Sequence, residues 1–150
     1  LISIVRAGLE AESAEETNAE QCLLSPPFVD PHFHMDATLT LGQPRYNQSG
    51  TLLEGIALWG ELKPELTQEA IQDRALRYCD LAVSRGLLAI RSHVDVCDPR
   101  LLAVDALLEV RKMVSSYLDL QLVAFPQDGF FRSPGTCLHS CEKRLGIQAY

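Results

Sequence analysis

His32-Phe33-His34-Met35-Asp36 is the stretch whose residue types and spacing speak most directly of chemistry. It follows Pro27-Phe28-Val29-Asp30-Pro31, whose β-branched and aromatic content suits a buried strand. Residues two apart on a strand point to one side, so the imidazoles of His32 and His34 are expected side by side. Two neutral imidazoles held that way can grip one first-row metal ion, and such an ion makes hydroxide from water near neutral pH. The plainer alternative is a pair of histidines packed or hydrogen-bonded near a turn. The Pro-x-His-x-His-x-Asp context, a strand running into a long polar loop, favours ligand roles. Asp36 then either orients a histidine from behind or caps the loop.

Three further groups carry polar chemistry. His93 and Asp95 share one face of a second apolar run, where a structural hydrogen bond beneath a site floor is favoured over ligation or proton relay. Gln127 follows Phe125-Pro126 and precedes Asp128-Gly129. Its carboxamide offers a donor and an acceptor, enough to read the amide edge of a heterocycle, but spacing alone favours a turn residue. Cys137 and Cys141, with His139 between them, lie one helical turn apart. Without a second cysteine pair they read as ordinary helix residues.

Elements to position these groups follow from the hydrophobic rhythm. Residues 1–24 hold short β-like pieces around an acidic loop, ending at Cys22-Leu23-Leu24 before Ser25-Pro26-Pro27. Residues 27–35 read as a strand, and 38–50 as a polar loop long enough to be functional. Residues 52–59 read as a short helix. Thr67 caps a longer one, with Ile71, Ala75, Tyr78, Cys79 and Ala82 at helical spacing and Gly86 placed to stop it. Residues 87–96 read as a strand. Asp98-Pro99 is expected to open a helix whose stripe is Ala103, Leu107, Val110, Val114 and Tyr117. Residues 119–125 are a third strand, 135–145 a helix, and Ile147 begins a fourth strand. Alternation of this kind signals parallel β/α units. Ligand-like residues gather at the carboxyl ends of successive strands, which favours a (β/α)8 barrel over an open doubly wound sheet. No glycine-rich phosphate cradle follows any strand.

Composition narrows the class. The chain has 150 residues, 47% of them hydrophobic, enough for one ordinary core. A net charge of −7 without a basic block argues against a nucleic-acid or anionic-membrane surface. No apolar run approaches the roughly 18 residues of a membrane span. Five scattered cysteines fit a reducing compartment, so a cytoplasmic location is expected. The start at Leu1 and the stop at Tyr150, after the opening of a strand, predict that both ends are cut.

Phe28 to Asp36, Gly42-Gln43-Pro44, Asn47-Gln48-Ser49-Gly50-Thr51-Leu52, His93-Val94-Asp95 and Val123-Ala124-Phe125-Pro126-Gln127 together resemble bacterial cytosine deaminases, of the amidohydrolase superfamily. The similarity runs from about residue 24 to 135 in the same order and spacing. His-x-His alone marks only the superfamily. The Asn-Gln-Ser-Gly-Thr-Leu and Phe-Pro-Gln blocks mark the cytosine deaminase branch and its relatives acting on triazine rings.

The resemblance implies an α/β chain. Residues 1–24 are part of a small β-sandwich, and 25–150 form the first three to four units of a metal-dependent (β/α)8 TIM barrel. It implies one divalent ion, iron or zinc, held partly by His32 and His34. The small heterocyclic substrate meets Gln127 and the backbone near Leu52, while Asp36, His93 and Asp95 are placed behind the ligands by their own positions along the strands rather than by the resemblance. Metal-bound hydroxide attacks the amine-bearing ring carbon of a cytosine-like aminopyrimidine, and ammonia leaves. The remaining ligands and the acid/base residues of this family lie on strands beyond Tyr150, so no catalytic acid or base is assigned within the chain. The rivals are an alkylamino-triazine (ammelide-type) amidohydrolase and a catalytically incomplete fragment that docks onto complementary barrel parts. A dinuclear relative would want a bridging lysine on the fourth strand, whereas Lys63, Lys112 and Lys143 fall on helices or loops. A homo-oligomer is among the assemblies expected.

Overall fold

The structure, a computed structural model, describes residues 20–129. Three strands form one parallel sheet in the order β1 (Phe28–Phe33), β2 (Leu87–Asp95), β3 (Asp119–Phe125). Helices α1 (Leu52–Leu62) and α2 (Gln68–Ser84) separate β1 from β2, and α3 (Leu102–Val114) separates β2 from β3. This is an α/β arrangement, and its strands end together at one edge, near Phe33, Asp95 and Phe125.

Local chemistry explains where the helices begin and end. Thr51 and Thr67 cap α1 and α2, their hydroxyls accepting from the amides of Glu54 and Ala70 at 3.3 and 3.2 Å. Gly86, at φ +80°, turns the chain out of α2, a conformation that favours glycine. The helix expected to open at Asp98-Pro99 starts later, at Leu102. The Asp98 carboxylate is taken by the backbone amide and guanidinium of Arg100, and Leu101 adopts a left-handed φ of 54° before the helix starts. Tyr117, assigned to the same stripe, lies beyond the end of α3 and is half exposed.

Ile90, Ser92 and Val94, buried along β2, alternate on the strand and face α2 and α3. Ile71, Ala75 and Cys79 of α2 and Val104, Leu107 and Val110 of α3 close this core. Hydrophobic burial on one side of the sheet thus fixes the opposite parity, Arg91, His93 and Asp95, on the other. Residues 20–24, expected to finish a β module, form no strand, and Leu23 and Leu24 are exposed. The expected helix over 135–145, the fourth strand and the Cys137/His139/Cys141 cluster lie outside the described residues.

Candidate active site

Three imidazoles meet where β1 and β2 end. The register of β1 on β2 slips between Asp30 and Phe33, so that Asp30 pairs with Ile90 and Phe33 with Ser92. This bulge lets Phe33 stack on Tyr78 of α2, at 4.3 Å between centroids, while His32 goes to the other face. There His32 lies on His93, with centroids 3.9 Å apart and planes 19° from parallel. His34 follows the strand and opens a short 3-10 turn, Met35–Ala37. Its ring stands edge-on to that of His32 at 5.4 Å and 6.0 Å from that of His93. Phe125 of β3 packs edge-on against His34 and His93, at 5.1 and 5.8 Å, and supplies an apolar wall.

His32 and His34 therefore sit together, as their spacing predicts. His93 joins them, although its place depends on strand register and was not legible from spacing. Among the described residues, His93 Nδ1 is buried and has no hydrogen-bond partner. Burial, reinforced by the nearby His32 and His34, holds its pKa below the usual imidazole value, so the neutral form is favoured.

Behind the imidazoles runs a carboxylate network. Asp36 is buried, its Oδ2 accepting from the Asp95 amide at 2.8 Å and its Oδ1 from the Ala37 amide at 3.0 Å. Burial pushes its pKa up to about 6, against the opposing pull of those amides and of His34. The Arg74 guanidinium holds the carbonyls of Asp36 and Thr38 at 3.1 Å. Asp95, also buried, accepts from Trp59 Nε1 at 2.8 Å and from Lys63 Nζ at 2.7 Å. Burial lowers the Lys63 pKa, but hydrogen bonds to Asp128 and Asp95 outweigh it and hold the ammonium above its ordinary value. Asp36 and Asp95 thus contact one another's segment rather than a histidine ring. Sequence reasoning missed Trp59, Lys63, Ser92 and Phe125. The available signal was Ser92, a hydroxyl at a core-facing position of an apolar strand.

Gln127 follows β3 in a turn closed by the Gly129 amide on the Pro126 carbonyl at 2.9 Å. Its side chain is half-buried, and among the described residues nothing hydrogen-bonds its carboxamide. Leu52 is the first residue of α1 and is 78% exposed. The polar loop before it is held by its own side chains. Asn47 Oδ1 accepts from the Gly50 amide at 2.8 Å, and Glu54 accepts from the Ser49 amide and from Arg45. Gly42 turns this loop at φ +85°, where a Cβ would come within 3.1 Å of the Tyr46 ring.

The donor set suits a divalent ion in part. Imidazoles are good ligands for zinc and iron, and His32 and His34 are adjacent and on a common edge. Among the described residues, no three His, Cys, Asp or Glu side chains group to hold an ion, so any further ligands would come from elsewhere.

The amidohydrolase family model matches residues 15–144, most of the sequence. The chain belongs to the amidohydrolase family. Among the solved structures that resemble it are two of 5-methylcytosine deaminase from Klebsiella pneumoniae. The one liganded with phosphonocytosine is 45% identical with a TM-score of 0.73, over 79% of this chain and 28% of that one. The one liganded with 5-fluorocytosine is 50% identical with a TM-score of 0.68, over 69% of this chain and 25% of that one. N-isopropylammelide isopropyl amidohydrolase from Pseudomonas sp. (strain ADP) is 32% identical over 136 residues, which are 85% of this chain and 33% of that relative. The chain spans about a third of that curated relative and roughly a quarter of the solved chains. No helix among the described residues is long and apolar enough to cross a membrane.

Proposed function

We propose that this chain carries the metal-binding strand and ring-reading turn of a cytoplasmic, metal-dependent hydrolase that converts a cytosine-like aminopyrimidine to its oxo product and ammonia. The observation that supports it most is the meeting of His32 and His34 at 5.4 Å on the strand edge from which Gln127, its carboxamide without a partner among the described residues, also emerges. Sequential strand order with helices packed between suits the first units of a (β/α)8 barrel, whose sites form at the carboxyl ends of the strands. In this reading residues 1–24 belong to a small β-sandwich and 25–150 to the barrel.

Each residue then has a task. His32 and His34 hold one divalent ion, iron or zinc, through imidazole nitrogens. When bound, that ion supplies a Lewis acid that makes water nucleophilic near neutral pH. His93 backs His32 by face contact, and its low pKa keeps a second positive charge away from the cation. Asp36 and Asp95 brace the turn that carries His34. Gln127 donates to and accepts from the ring amide, and the backbone at Leu52 lines the opposite side. Phe125 excludes water beside the imidazoles.

The pyrimidine reading is preferred because similarity to the 5-methylcytosine deaminase, at 45–50% identity, exceeds the 32% to the ammelide enzyme. That second relative supports a related reading, loss of an alkylamine from a triazine. The test is turnover by metal-loaded protein carrying this chain, offered cytosine, 5-methylcytosine and N-isopropylammelide side by side. Ammonia from the pyrimidines supports the proposal. Isopropylamine without ammonia moves the assignment to the triazine branch. A metal-bound protein that releases neither amine refutes both.

A further inference from the structure

At the carboxyl edge of the sheet, outside the imidazole cluster, the Lys63 ammonium bridges two elements. Lys63, just past α1, places Nζ 2.7 Å from Asp95 Oδ2 and 2.8 Å from Asp128 Oδ2. Asp95 ends β2, and Asp128 directly follows Gln127. The arrangement is braced on both sides. Trp59 Nε1 donates to the same Asp95 oxygen, and the Cys97 amide donates to the other, at 2.8 Å each. Arg100 donates to the Lys63 carbonyl at 2.7 Å, which holds the backbone that carries the ammonium. Asp128 is fixed a second time by its own amide, which points at Cys97 Sγ at 3.4 Å.

The Lys63 side chain is 13% exposed and that of Asp95 4%, so water screens their attraction only weakly. The pair differs in kind from the open Arg45–Glu61 and Arg77–Asp73 contacts, which stand in bulk solvent. Through Asp128, the lysine fixes one end of the Phe125–Gly129 turn. Gln127 sits in that turn, and its own side chain has no bond within the described residues to hold it. Among the described residues, the orientation of its carboxamide is therefore set by the backbone of its neighbours.

We propose that Lys63 is a positioning residue for ring recognition: by tying Asp128 to Asp95 it sets the turn from which Gln127 presents its carboxamide to a planar amide-bearing heterocycle. The proposal rests on the reading of Gln127 given above, yet its structural half stands without it. A substrate that Gln127 contacts is bound through a strut running from α1 to β2 to the β3 turn. Changes at Lys63 then alter binding rather than the chemical step.

The test uses Lys63→Met, Lys63→Arg and Asp128→Asn in the whole protein. Asp128→Asn is the milder change, because Asp128 is 38% exposed and Asp95 keeps its partner. Amide hydrogen exchange at Asp128 and Gly129 is expected to quicken about tenfold or more in Lys63→Met and Asp128→Asn, and to return toward wild type in Lys63→Arg. With a turned-over ring substrate, KM is expected to rise about tenfold while kcat changes by less than about threefold. Unchanged exchange in Asp128→Asn overturns the proposal, even if Lys63→Met does not fold. Quickened exchange with an unchanged KM also overturns it. If wild-type protein turns over no ring at all, the assignment of Gln127 fails, while the exchange data still decide whether Lys63 holds the turn.

Discussion

Ser92 Oγ accepts the backbone amide of Met35 at 3.0 Å, a buried bond between residues 57 apart in sequence. Met35 immediately follows His34, so this hydroxyl fixes where the second imidazole leaves the strand. It also explains why a polar residue occupies a core-facing position of β2 between Ile90 and Val94. Ser92→Ala leaves the Met35 amide buried without an acceptor, a loss of about 1–3 kcal/mol. Urea denaturation of the two proteins should show that loss as a lower midpoint with an unchanged slope. An equal midpoint would mean that the turn is held by Arg74 and Asp36 alone.

Metal content tests the imidazole pair directly. His32→Ala and His34→Ala should each lower bound iron or zinc from about one ion per chain toward zero under equal loading. His93→Ala removes the face contact on His32 and the packing against Phe125 but neither ring of the pair, so a fall of about 10–100-fold in affinity, without abolition, is expected. Elemental analysis after dialysis against a weak chelator separates these outcomes. Full retention in both single alanine variants of the pair would exclude them as ligands.

Much of this edge was legible from residue order, because local rules govern it. The β3 bounds follow from the run Asp119 to Phe125, and those of α2 from Thr67 and Gly86, each a stop or start with its own stereochemistry. His32 and His34 met because a two-residue spacing survives a bulge at this point. What was not legible depends on pairing across the chain. His93 reaches His32 only through the register of β1 on β2, and Lys63 reaches Asp95 and Asp128 only once α1 has docked. Asp98-Pro99 misled because capping rules look forward along the chain, whereas Arg100 captured the carboxylate first. The polar loop offered polar groups enough for a ligand, yet Ser49 donates its amide to Glu54 and its hydroxyl to Asn47, whose Oδ1 also accepts from the Gly50 amide.

Acid should loosen that loop before it unfolds the core. Bonds from Ser49, then from Arg45, hold the Glu54 carboxyl down to about 2. A depressed folded-state pKa contributes stability above the free carboxyl value of 4.5, and that contribution fades as pH falls through about 2. Exchange at the Ser49 and Gly50 amides should therefore rise between about pH 4.5 and pH 2 in wild type. In Glu54→Gln, which has no carboxyl to titrate there, the same amides should exchange faster at neutral pH and show no such step. A step that persists in the variant would assign the transition to another group.

Gln127 is the residue on which substrate choice turns. Its backbone is tied down on both sides, by the Phe125 carbonyl to its own amide and by Asp128 to Lys63, while among the described residues nothing hydrogen-bonds its carboxamide. A pyrimidine ring amide presents one N–H and one C=O side by side, which one carboxamide can match in a single orientation. Gln127→Ala removes both bonds, worth about 1–3 kcal/mol together, so kcat/KM for cytosine should fall by roughly 5- to 150-fold. Metal content should not change, since no ligand is touched. Gln127→Glu keeps the length but loses the donor, so its carboxylate repels the ring C=O. It should therefore lose at least as much activity as the alanine variant, with the loss easing at low pH as the carboxyl protonates. Equal activity in the alanine variant and wild type would show that the carboxamide does not touch the ring. The Pro126–Gly129 turn would then be no more than the way the chain leaves β3.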